Sequence, residues 1–209
     1  YGRIEKIVFA SSSQEYGLIK PSEVPVKESN PLRPMNPYAQ AKILATKECV
    51  NYWKKFSLPV VVTRAFNHIG SRQDESFIVP TIVRQAIEIK AGKRREFELE
   101  NTSAKRDFTN VRDMMTGYLL AAERGRPGQV YNLCFGKAYS IRQVVKMAAK
   151  LVGVKGKIRE NANLRPNHLP LVLGDASKAR KELGFSPRIS LEKTVKELIE
   201  WKKKEKTRH

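Results

Sequence analysis

The sequence has very few cysteines and no long apolar run. Its 209 residues include two cysteines, Cys49 and Cys134, which excludes a disulfide-rich scaffold. Two isolated thiols favour a reducing compartment and argue against a structural zinc site. No apolar run reaches the roughly 18 residues that a membrane span needs, and no apolar segment follows a basic start, as it does in a signal peptide. We therefore expect a cytoplasmic protein with no metal site and no membrane partner.

Acidic residues are scarce relative to basic ones. The chain has 21 Asp and Glu against 40 Lys and Arg, which gives a formal net charge of +19. Aromatic residues make up only 8% of the chain and seldom adjoin the basic clusters at 90–95 and 202–209, so we expect no nucleic-acid partner. Most of the charge is expected to lie on solvated lysine faces, and an anionic small-molecule site is the main alternative.

The sequence does contain an alternation of strand and helix signals. Apolar runs and alternating segments predict strands, and apolar residues at helical spacing predict helices. The predicted strands are 6–12, 59–64, 97–100 and 129–134, and the predicted helices are 38–56, 79–91, 110–124, 141–151 and 191–203. The helix 38–56, which Pro37 opens, is expected to bury a stripe that includes Ala41 and Leu44. This alternation predicts an α/β layer fold, in which ligands bind beyond the carboxyl ends of the strands.

Candidate acid–base chemistry lies in the first part of the chain. Tyr38 and Lys42 are four residues apart on a predicted helix, so they share a face. An ammonium beside a phenol stabilises the phenolate, which suits a proton donor or acceptor, although this spacing is also common by chance. The serines at 11–13 end the preceding strand, where a hydroxyl can face a ligand, and an ordinary strand-end turn is the alternative.

Five motifs occur in a fixed order along essentially the whole chain. They are residues 9–17 (FASSSQEYG), 36–42 (NPYAQAK), 64–70 (RAFNHIG), 106–113 (RDFTNVRD), and the pair 165–166 (RP) with 174–179 (GDASKA). In this combination the chain resembles the extended short-chain dehydrogenase/reductase family, which includes NAD-dependent epimerases and dehydratases. Residues 66–70 (FNHIG) and 77–80 (FIVP) are most similar to its GDP-mannose branch, which contains GDP-mannose 4,6-dehydratases and GDP-6-deoxy-mannose reductases.

The resemblance implies a fold and a division of the chain. We expect the C-terminal part of a Rossmann-type doubly wound parallel sheet, together with a smaller α/β substrate domain. Residues 1–70 would be the remainder of the dinucleotide-binding domain, and 71–209 mainly the substrate domain, with the chain crossing back near 101–135. No Gly-x-x-Gly-x-x-Gly turn occurs in the sequence. The resemblance therefore implies that roughly the first third of the family's length, with the main NAD or NADP motif, is absent.

The resemblance also assigns roles to individual residues. Tyr38 would exchange a proton with the sugar C4 oxygen, Ser12 would hydrogen-bond that oxygen, and Lys42 would hold the nicotinamide ribose. Ser12 is chosen over its serine neighbours by counting back from the Tyr-Gly pair that ends the first motif. Arg106 and Arg165 would clamp the diphosphate, for which a planar guanidinium is suited. The expected catalytic residues are Ser12, Tyr38 and Lys42; the expected cofactor contacts are Tyr38, Lys42 and Ala65; and the expected substrate contacts are Asn67, Ile78, Arg106, Phe108 and Arg165.

One departure from the family pattern bears on the reaction. Dehydratases of the family carry a glutamate two residues after the active-site hydroxyl, and this chain has Gln14 there, which cannot exchange a proton. Glu15 follows it and would face the other way if the strand continued. We therefore expect the intact protein to be an NAD(P)-dependent oxidoreductase that reduces GDP-4-keto-6-deoxymannose. The alternatives are a GDP-mannose 4,6-dehydratase, a nucleotide-sugar 4-epimerase, or an inert fragment that only binds ligand or serves a structural role.

The resemblance further implies an oligomer. In this family two long helices of each subunit form a four-helix bundle in the dimer, and the helix that carries Tyr38 is one of them. Residues 43–56 include Ile43, Val50 and Trp53, and they carry more apolar surface than one core-facing stripe needs. A homodimer or higher homo-oligomer that binds a GDP-sugar is therefore expected.

Overall fold

The computed structural model describes residues 4–160 and 169–206 of the chain. Its strands are β1 (Ile7–Ser12), β2 (Val60–Ala65), β3 (Asn67–Ile69), β4 (Phe97–Leu99), β5 (Lys105–Asn110), β6 (Val130–Leu133), β7 (Ala138–Ser140), β8 (Ile158–Glu160) and β9 (Leu171–Val172). Its helices are α1 (Pro37–Phe56), α2 (Ile78–Lys90), α3 (Val111–Arg124), α4 (Ile141–Val152), α5 (Ser177–Leu183) and α6 (Leu191–Lys206). A 3-10 turn, Ser13–Tyr16, follows β1 directly.

The first sheet is parallel and consists of β1, β2 and β6, in that order. All six residues of the central strand β2 are buried, and both α1 and α3 pack against β1 and β2. A central strand without an exposed face is typical of a doubly wound parallel sheet. The register pairs Ser12 with Ala65, so β1 and β2 end at the same edge. The expected α/β fold class is confirmed.

The second sheet is built around β5. β3 pairs in parallel with the C-terminal half of β5. The N-terminal half of β5 pairs with β7 in an antiparallel orientation and with β9 in a parallel one. β4 and β8 form a separate parallel pair. A single residue, Phe66, separates β2 from β3. The chain therefore passes from the first sheet to the second at the edge where β1 and β2 end.

Two clusters of buried apolar side chains stabilise the described part of the chain. One surrounds the parallel sheet and includes Val61, Phe66 and Met114. The other joins α2, α4 and α6 to β4 and β5, and it includes Phe97 and Val144. Full burial of one such side chain contributes about 1.5–3 kcal/mol. The expected domain limit at residue 70 stays a prediction, because cluster membership alone does not fix a boundary.

The predicted helices agree with the observed ones to within about three residues at each end. Strands β3, β5, β7, β8 and β9 and helix α5 were not predicted, because they are short or mix polar and apolar residues without a clear period. The prediction for the buried stripe of α1 was wrong. Ala41 is exposed and Leu44 is 63% exposed, because α1 faces the sheet with the side that carries polar Lys42 and Thr46. The buried residues of α1 are Ala39, Ile43 and Thr46.

Candidate active site

A cavity of about 400 Å³ opens at the edge where β1 and β2 end. Helix α1 begins beside it, because Asn36 caps the helix by accepting a hydrogen bond from the Ala39 N–H at 2.8 Å, and Pro37 occupies the first turn. The segment that leads into α2 forms another part of the wall. The structure brings the three expected catalytic residues together on this cavity: Ser12, Tyr38 and Lys42.

Ser12 is the last residue of β1 and caps the 3-10 turn that follows. Its Oγ accepts a hydrogen bond from the Gln14 N–H at 3.2 Å, which leaves the hydroxyl proton for a ligand in the cavity. Ser11 and Ser13 are buried, and the Ser11 hydroxyl donates to the Glu15 carboxylate. Ser12 is therefore the most accessible of the three serines.

Tyr38 and Lys42 lie on the first two turns of α1. The Tyr38 side chain is half exposed at the cavity. The Lys42 ammonium donates a hydrogen bond to the Ala10 main-chain oxygen at 2.9 Å. The same Nζ lies 5.8 Å from the centroid of the Tyr38 ring and 5.1 Å from that of Phe9. The carbonyl on β1 thus holds a cation beside the phenol, an arrangement that suits a proton-exchanging tyrosine.

Further polar side chains line this cavity, among them His68, Gln73 and Tyr118. The His68 ring is oriented by its Nδ1, which lies 3.1 Å from the Phe66 main-chain oxygen. Tyr118 reaches the cavity from α3, and burial raises the pKa of its phenol, with the neighbouring Tyr38 adding to the rise. Tyr118 belongs to none of the motifs, so sequence reasoning did not find it. Its one sequence signal is a position on the helix that begins within the fourth motif.

A second cavity of about 430 Å³ adjoins the first and shares part of its wall. The shared residues are Asn67, Ile78 and Phe108. The Asn67 amide donates to the Asp107 main-chain oxygen at 3.3 Å, which fixes β3 against β5. A ligand longer than one cavity can therefore extend from Tyr38 past Asn67 into the second cavity.

Charged side chains concentrate in the second cavity. Arg106 lines it, and its Nη1 donates to the Lys105 main-chain oxygen at 2.8 Å. Burial lowers the pKa of the Arg106 guanidinium, since water no longer solvates the cation fully, and an anionic ligand would offset that cost. Glu98 and Glu100 contribute carboxylates to the same wall.

The remaining expected contacts can be placed as follows. Ala65, at the end of β2, lines the first cavity. Ile78 and Phe108 line both cavities, and Arg106 lines the second. Arg165, expected as the second diphosphate arginine, lies outside the described residues. The roles assigned to all of these residues stay predictions.

Gln14 and Glu15 face different ways. Gln14 is exposed and lines the cavity, and its Oε1 accepts a hydrogen bond from the Asn36 amide at 3.1 Å. Glu15 is fully buried, and its Oε2 accepts from Arg64 Nε at 2.7 Å. The expected reason for this difference was wrong: β1 ends at Ser12, and a 3-10 turn rather than a continued strand directs Glu15 inward.

The donors at the cavity fit one end of a nicotinamide dinucleotide. The Lys42 ammonium has three donor protons, and Ala10 accepts one of them. Ala65 lines the same cavity as Tyr38 and Ser12 and presents only a methyl group there. A Gly-rich turn for the pyrophosphate, by contrast, is not found in the 209-residue sequence. The residues present therefore fit the nicotinamide end of such a cofactor and not its pyrophosphate.

Residues 4–160 and 169–206 contain neither a cluster of metal-ligating side chains nor a helix that could span a membrane. Within these ranges, three or more His, Cys, Asp or Glu side chains nowhere come together as metal ligands. In the same residues, every helix is too short or too polar to cross a membrane.

The chain is similar to proteins named as GDP-mannose dehydratases and as a GDP-6-deoxy-D-mannose reductase. The profile of the family described as GDP-mannose 4,6 dehydratase matches residues 2–198. GDP-6-deoxy-D-mannose reductase of Pseudomonas aeruginosa is 29% identical over 194 residues, which cover 92% of this chain and 64% of that protein. GDP-mannose 4,6 dehydratase of Cricetulus griseus is 29% identical over 221 residues, which cover 95% of this chain and 59% of that protein. The chain thus spans less than two thirds of the length of these relatives.

A solved structure agrees with the described fold. The structure of RMD from Pseudomonas aeruginosa, complexed with NADPH, superposes with a TM-score of 0.90 at 28% sequence identity. The superposition covers 95% of this chain and 67% of that chain. The agreement extends over nearly the whole chain, so the expected Rossmann-type fold is confirmed.

Proposed function

The chain belongs to the GDP-mannose 4,6-dehydratase family, and from this premise we propose that its site reduces a 4-keto sugar carried on GDP, with NADH or NADPH as the reductant. The observation that carries the proposal is the convergence of Ser12, Tyr38 and Lys42 on one cavity. Each has the chemistry that carbonyl reduction needs: a hydrogen-bond donor, a proton donor and a cation. The similarity to GDP-6-deoxy-D-mannose reductase of Pseudomonas aeruginosa supports the same choice.

Each catalytic side chain has a defined role in the proposed reaction. A reduced nicotinamide, when bound, supplies the hydride that forms the new C–H bond at sugar C4. Tyr38 donates its phenolic proton to the C4 oxygen, so the carbonyl becomes a hydroxyl. Ser12 donates a hydrogen bond to that oxygen and stabilises its developing negative charge. Lys42, held by the Ala10 carbonyl, places positive charge beside the phenolate that remains and, with Ala65, contacts the nicotinamide end.

The second cavity is proposed to hold the GDP moiety. Arg106, and Arg165 outside the described residues, would pair with diphosphate oxygens, because a guanidinium matches phosphate geometry. The residues shared by both cavities would contact the junction of sugar and diphosphate: Asn67, Ile78 and Phe108.

The acidic wall of the second cavity favours guanine as the base of the carrier. Glu98 and Glu100 line it; Glu98 Oε2 already pairs with Arg94 Nη1 at 2.9 Å, but an ionised carboxylate has further lone pairs and only accepts hydrogen bonds. Guanine presents two adjacent donors, N1–H and N2–H₂, on one edge. Uracil and thymine present one N–H between two carbonyl oxygens, which a carboxylate repels. The wall therefore supports a GDP carrier over a pyrimidine carrier.

Gln14 favours reduction over dehydration. A dehydratase must remove the C5 proton next to the C4 ketone, and the carboxamide of Gln14, which lines the cavity, cannot accept it. Glu15 does not replace it, because that carboxylate is buried against Arg64. The second candidate function is GDP-mannose 4,6-dehydratase, which the family match favours. A nucleotide-sugar 4-epimerase would use the same tyrosine and lysine, and a binding protein without turnover is the alternative of another class.

We also propose a homodimer and a cytoplasmic location. On α1 three large apolar side chains are exposed at a spacing that places them along one face: Leu44, Tyr52 and Phe56. A second copy of the chain that packs on this face would remove them from water. The free thiols Cys49 and Cys134 are compatible with a reducing compartment. Light scattering is expected to give the mass of a dimer, and a monomer at micromolar concentration would contradict the assembly.

The test of the proposed function is product analysis. The protein is incubated with GDP-4-keto-6-deoxymannose and millimolar NADPH or NADH, and the products are identified by NMR. We expect one reduced nicotinamide to be consumed for each GDP-6-deoxy sugar formed. Conversion of GDP-mannose to its 4-keto product without added reductant would identify a dehydratase instead. Binding of GDP-mannose in calorimetry without turnover of either substrate would identify the binding protein.

A further inference from the structure

A buried carboxylate lies behind the candidate active site. The Glu15 side chain is fully buried, although carboxylates are seldom buried without partners. Its Oε1 accepts hydrogen bonds from Thr46 Oγ1 at 2.7 Å and from the Ser11 hydroxyl, and its Oε2 accepts one from Arg64 Nε at 2.7 Å. The three donors belong to α1, β1 and β2. One carboxylate therefore joins the helix to two strands of the parallel sheet.

Arg64 extends the same network. Its Nη1 donates to the Tyr16 hydroxyl at 3.1 Å and to the Glu28 main-chain oxygen at 3.2 Å. The Tyr16 hydroxyl donates in turn to Asn132 Oδ1 on β6 at 2.6 Å. Burial raises the pKa of Tyr16 to about 12, so the hydroxyl keeps its proton and this bond persists. The network thus reaches all three strands of the first sheet.

The network contacts both segments that carry the proposed catalytic hydroxyls, those of Ser12 and Tyr38. Ser12 lies between Ser11 and the turn that contains Glu15, so one carboxylate fixes the chain on both sides of it. Tyr38 lies on α1, two turns before Thr46, which binds the same carboxylate. Glu15 therefore connects the segment of Ser12 with the helix of Tyr38. Its own carboxylate does not line the cavity.

We propose that Glu15 is a positioning residue of this site. By binding Thr46 on α1 and Ser11 on β1, it fixes the position of α1 relative to the end of β1, so that the Ser12 and Tyr38 hydroxyls meet at one substrate oxygen. The inference rests on the proposed function, because it assumes that these two hydroxyls contact a sugar. If the contacts of Glu15 only stabilised the core, weakening them would not change how the site binds the sugar.

Thr46→Val is the informative variant. It removes the hydroxyl that donates to Glu15 at 2.7 Å and lies 3.2 Å from Ser11 Oγ, and it nearly keeps the shape of the side chain. Glu15→Gln, by contrast, leaves the Arg64 cation buried without its counter-charge, which endangers folding. Thr46→Ser keeps the hydroxyl and is the matched control. Tyr38→Phe, followed by turnover in the reduction assay, reports independently on the proposed function.

The first measurement is amide hydrogen exchange of the protein without ligand. Thr46→Val is expected to raise the exchange rates in the turn Ser13–Tyr16 about threefold to tenfold, the effect of losing one hydrogen bond in a local opening. Rates in α4 and α6 should not change, and Thr46→Ser should behave like the unchanged protein. Equal exchange in the turn would overturn the proposal, because the carboxylate would then not couple α1 to that turn.

The second measurement is the ratio of GDP-mannose affinity to GDP affinity, determined by calorimetry. We expect Thr46→Val to lower this ratio about threefold to tenfold, Thr46→Ser to restore it, and GDP affinity to stay the same throughout. If Tyr38→Phe lowers turnover in the reduction assay and Thr46→Val leaves the ratio unchanged, the positioning role is overturned while the proposed function stands. If Tyr38→Phe leaves turnover unchanged, the proposed function fails, and the positioning role fails with it.

Discussion

The ammonium of Lys42 donates a hydrogen bond to the main-chain oxygen of Ala10 at 2.9 Å. This bond ties the second turn of α1 to β1 two residues before Ser12. It therefore fixes the ammonium and also the separation between Ser12 and Tyr38. A lysine that only carried charge into the cavity would not have this second effect.

Lys42→Met is expected to lower turnover far more than stability. Ala10 is exposed, so water can replace the ammonium at its carbonyl, and the free energy of unfolding should fall by only about 1 kcal/mol. Turnover in the reduction assay should fall about 10²-fold or more, because the proposed cation beside the phenol is lost. Urea unfolding and initial rates measure the two effects. Lys47→Met, at an exposed lysine of the same helix, is the control and should change neither; a Lys42→Met protein as active as this control would contradict the role.

Tyr38→Phe tests the proton donor. The substitution removes one oxygen from a half-exposed side chain, so folding and GDP affinity should be unchanged. We expect kcat to fall about 10²–10⁴-fold, the usual contribution of a positioned acid or base. Tyr52→Phe, at another half-exposed tyrosine of α1, is the matched control. Retention of a tenth of the activity by Tyr38→Phe would show that another group supplies the proton.

Gln14→Glu tests why this site favours reduction. The C5 proton of a 4-keto sugar is acidic because it lies next to the ketone, and a carboxylate at position 14 would face the cavity that Gln14 now lines. We expect the variant to catalyse exchange of that proton when GDP-4-keto-6-deoxymannose is incubated in D₂O, as followed by NMR. The reaction needs no dinucleotide. Gln14→Met provides the control without a base. Equal exchange in the two variants would contradict the proposal that Gln14 makes this site favour reduction.

Asp107 is expected to make stability depend on pH. It is fully buried, and although the Phe135 and Gly136 amides donate to its carboxylate at 3.0 and 2.8 Å, burial raises its pKa from 3.8 to about 6. The folded protein therefore binds a proton that the unfolded chain has lost between about pH 4 and 6, so this contribution to stability falls as pH rises through that window.

Comparison with Asp107→Asn isolates this effect. The difference in the free energy of unfolding between the unchanged protein and the variant should fall by up to about 3 kcal/mol from pH 4 to pH 6.5. Urea unfolding at several pH values measures it. Asp74→Asn is the control and should show a nearly constant difference over this range, because hydrogen bonds from Ser76 lower the pKa of Asp74 from 3.8 and its titration therefore lies below the range. A difference for Asp107→Asn that does not vary with pH would contradict the prediction.

The sequence predicted the candidate site better than its surroundings. Tyr38 and Lys42 were predictable because both lie one turn apart on a helix whose start Pro37 marks. Tyr118 could not be predicted, since it reaches the cavity from α3, a helix distant in sequence. The pairing of Glu15 with Arg64 joins two motifs, but its geometry depends on the 3-10 turn after β1. Such a turn depends on tertiary contacts and has no periodic signal.

The same reasoning explains the wrong prediction for α1. The apolar stripe of a helix identifies the face that packs on the sheet only if that face consists mainly of apolar side chains. In this helix Lys42 and Thr46 point toward the sheet to bind Ala10 and Glu15, so Leu44 is left exposed. Because polar side chains of the candidate site occupy the buried face of α1, its apolar residues no longer indicate which face is buried.

The 209-residue chain is expected to bind NADH and NADPH with millimolar affinity or weaker. A dinucleotide is held mainly by its pyrophosphate on a Gly-rich turn and by groups that contact the adenosine ribose, and this sequence has no such turn. Lys42 and Tyr38 can offer the nicotinamide end a few hydrogen bonds of about 1 kcal/mol net each. Association costs at least about 4 kcal/mol, so little net affinity remains.

The nucleotide-sugar site provides the internal control for this prediction. Asn67 and Arg106 lie on the described cavities, so GDP-mannose should bind measurably in the same calorimeter in which NADPH does not. Arg106→Ala should then weaken GDP-mannose binding about tenfold, since a charge-assisted contact to a diphosphate is lost. Binding of NADPH should stay below detection in this variant. Micromolar binding of NADPH would mean that the pyrophosphate has a site on this chain that neither the Gly-rich motif nor the cavity at Lys42 predicts.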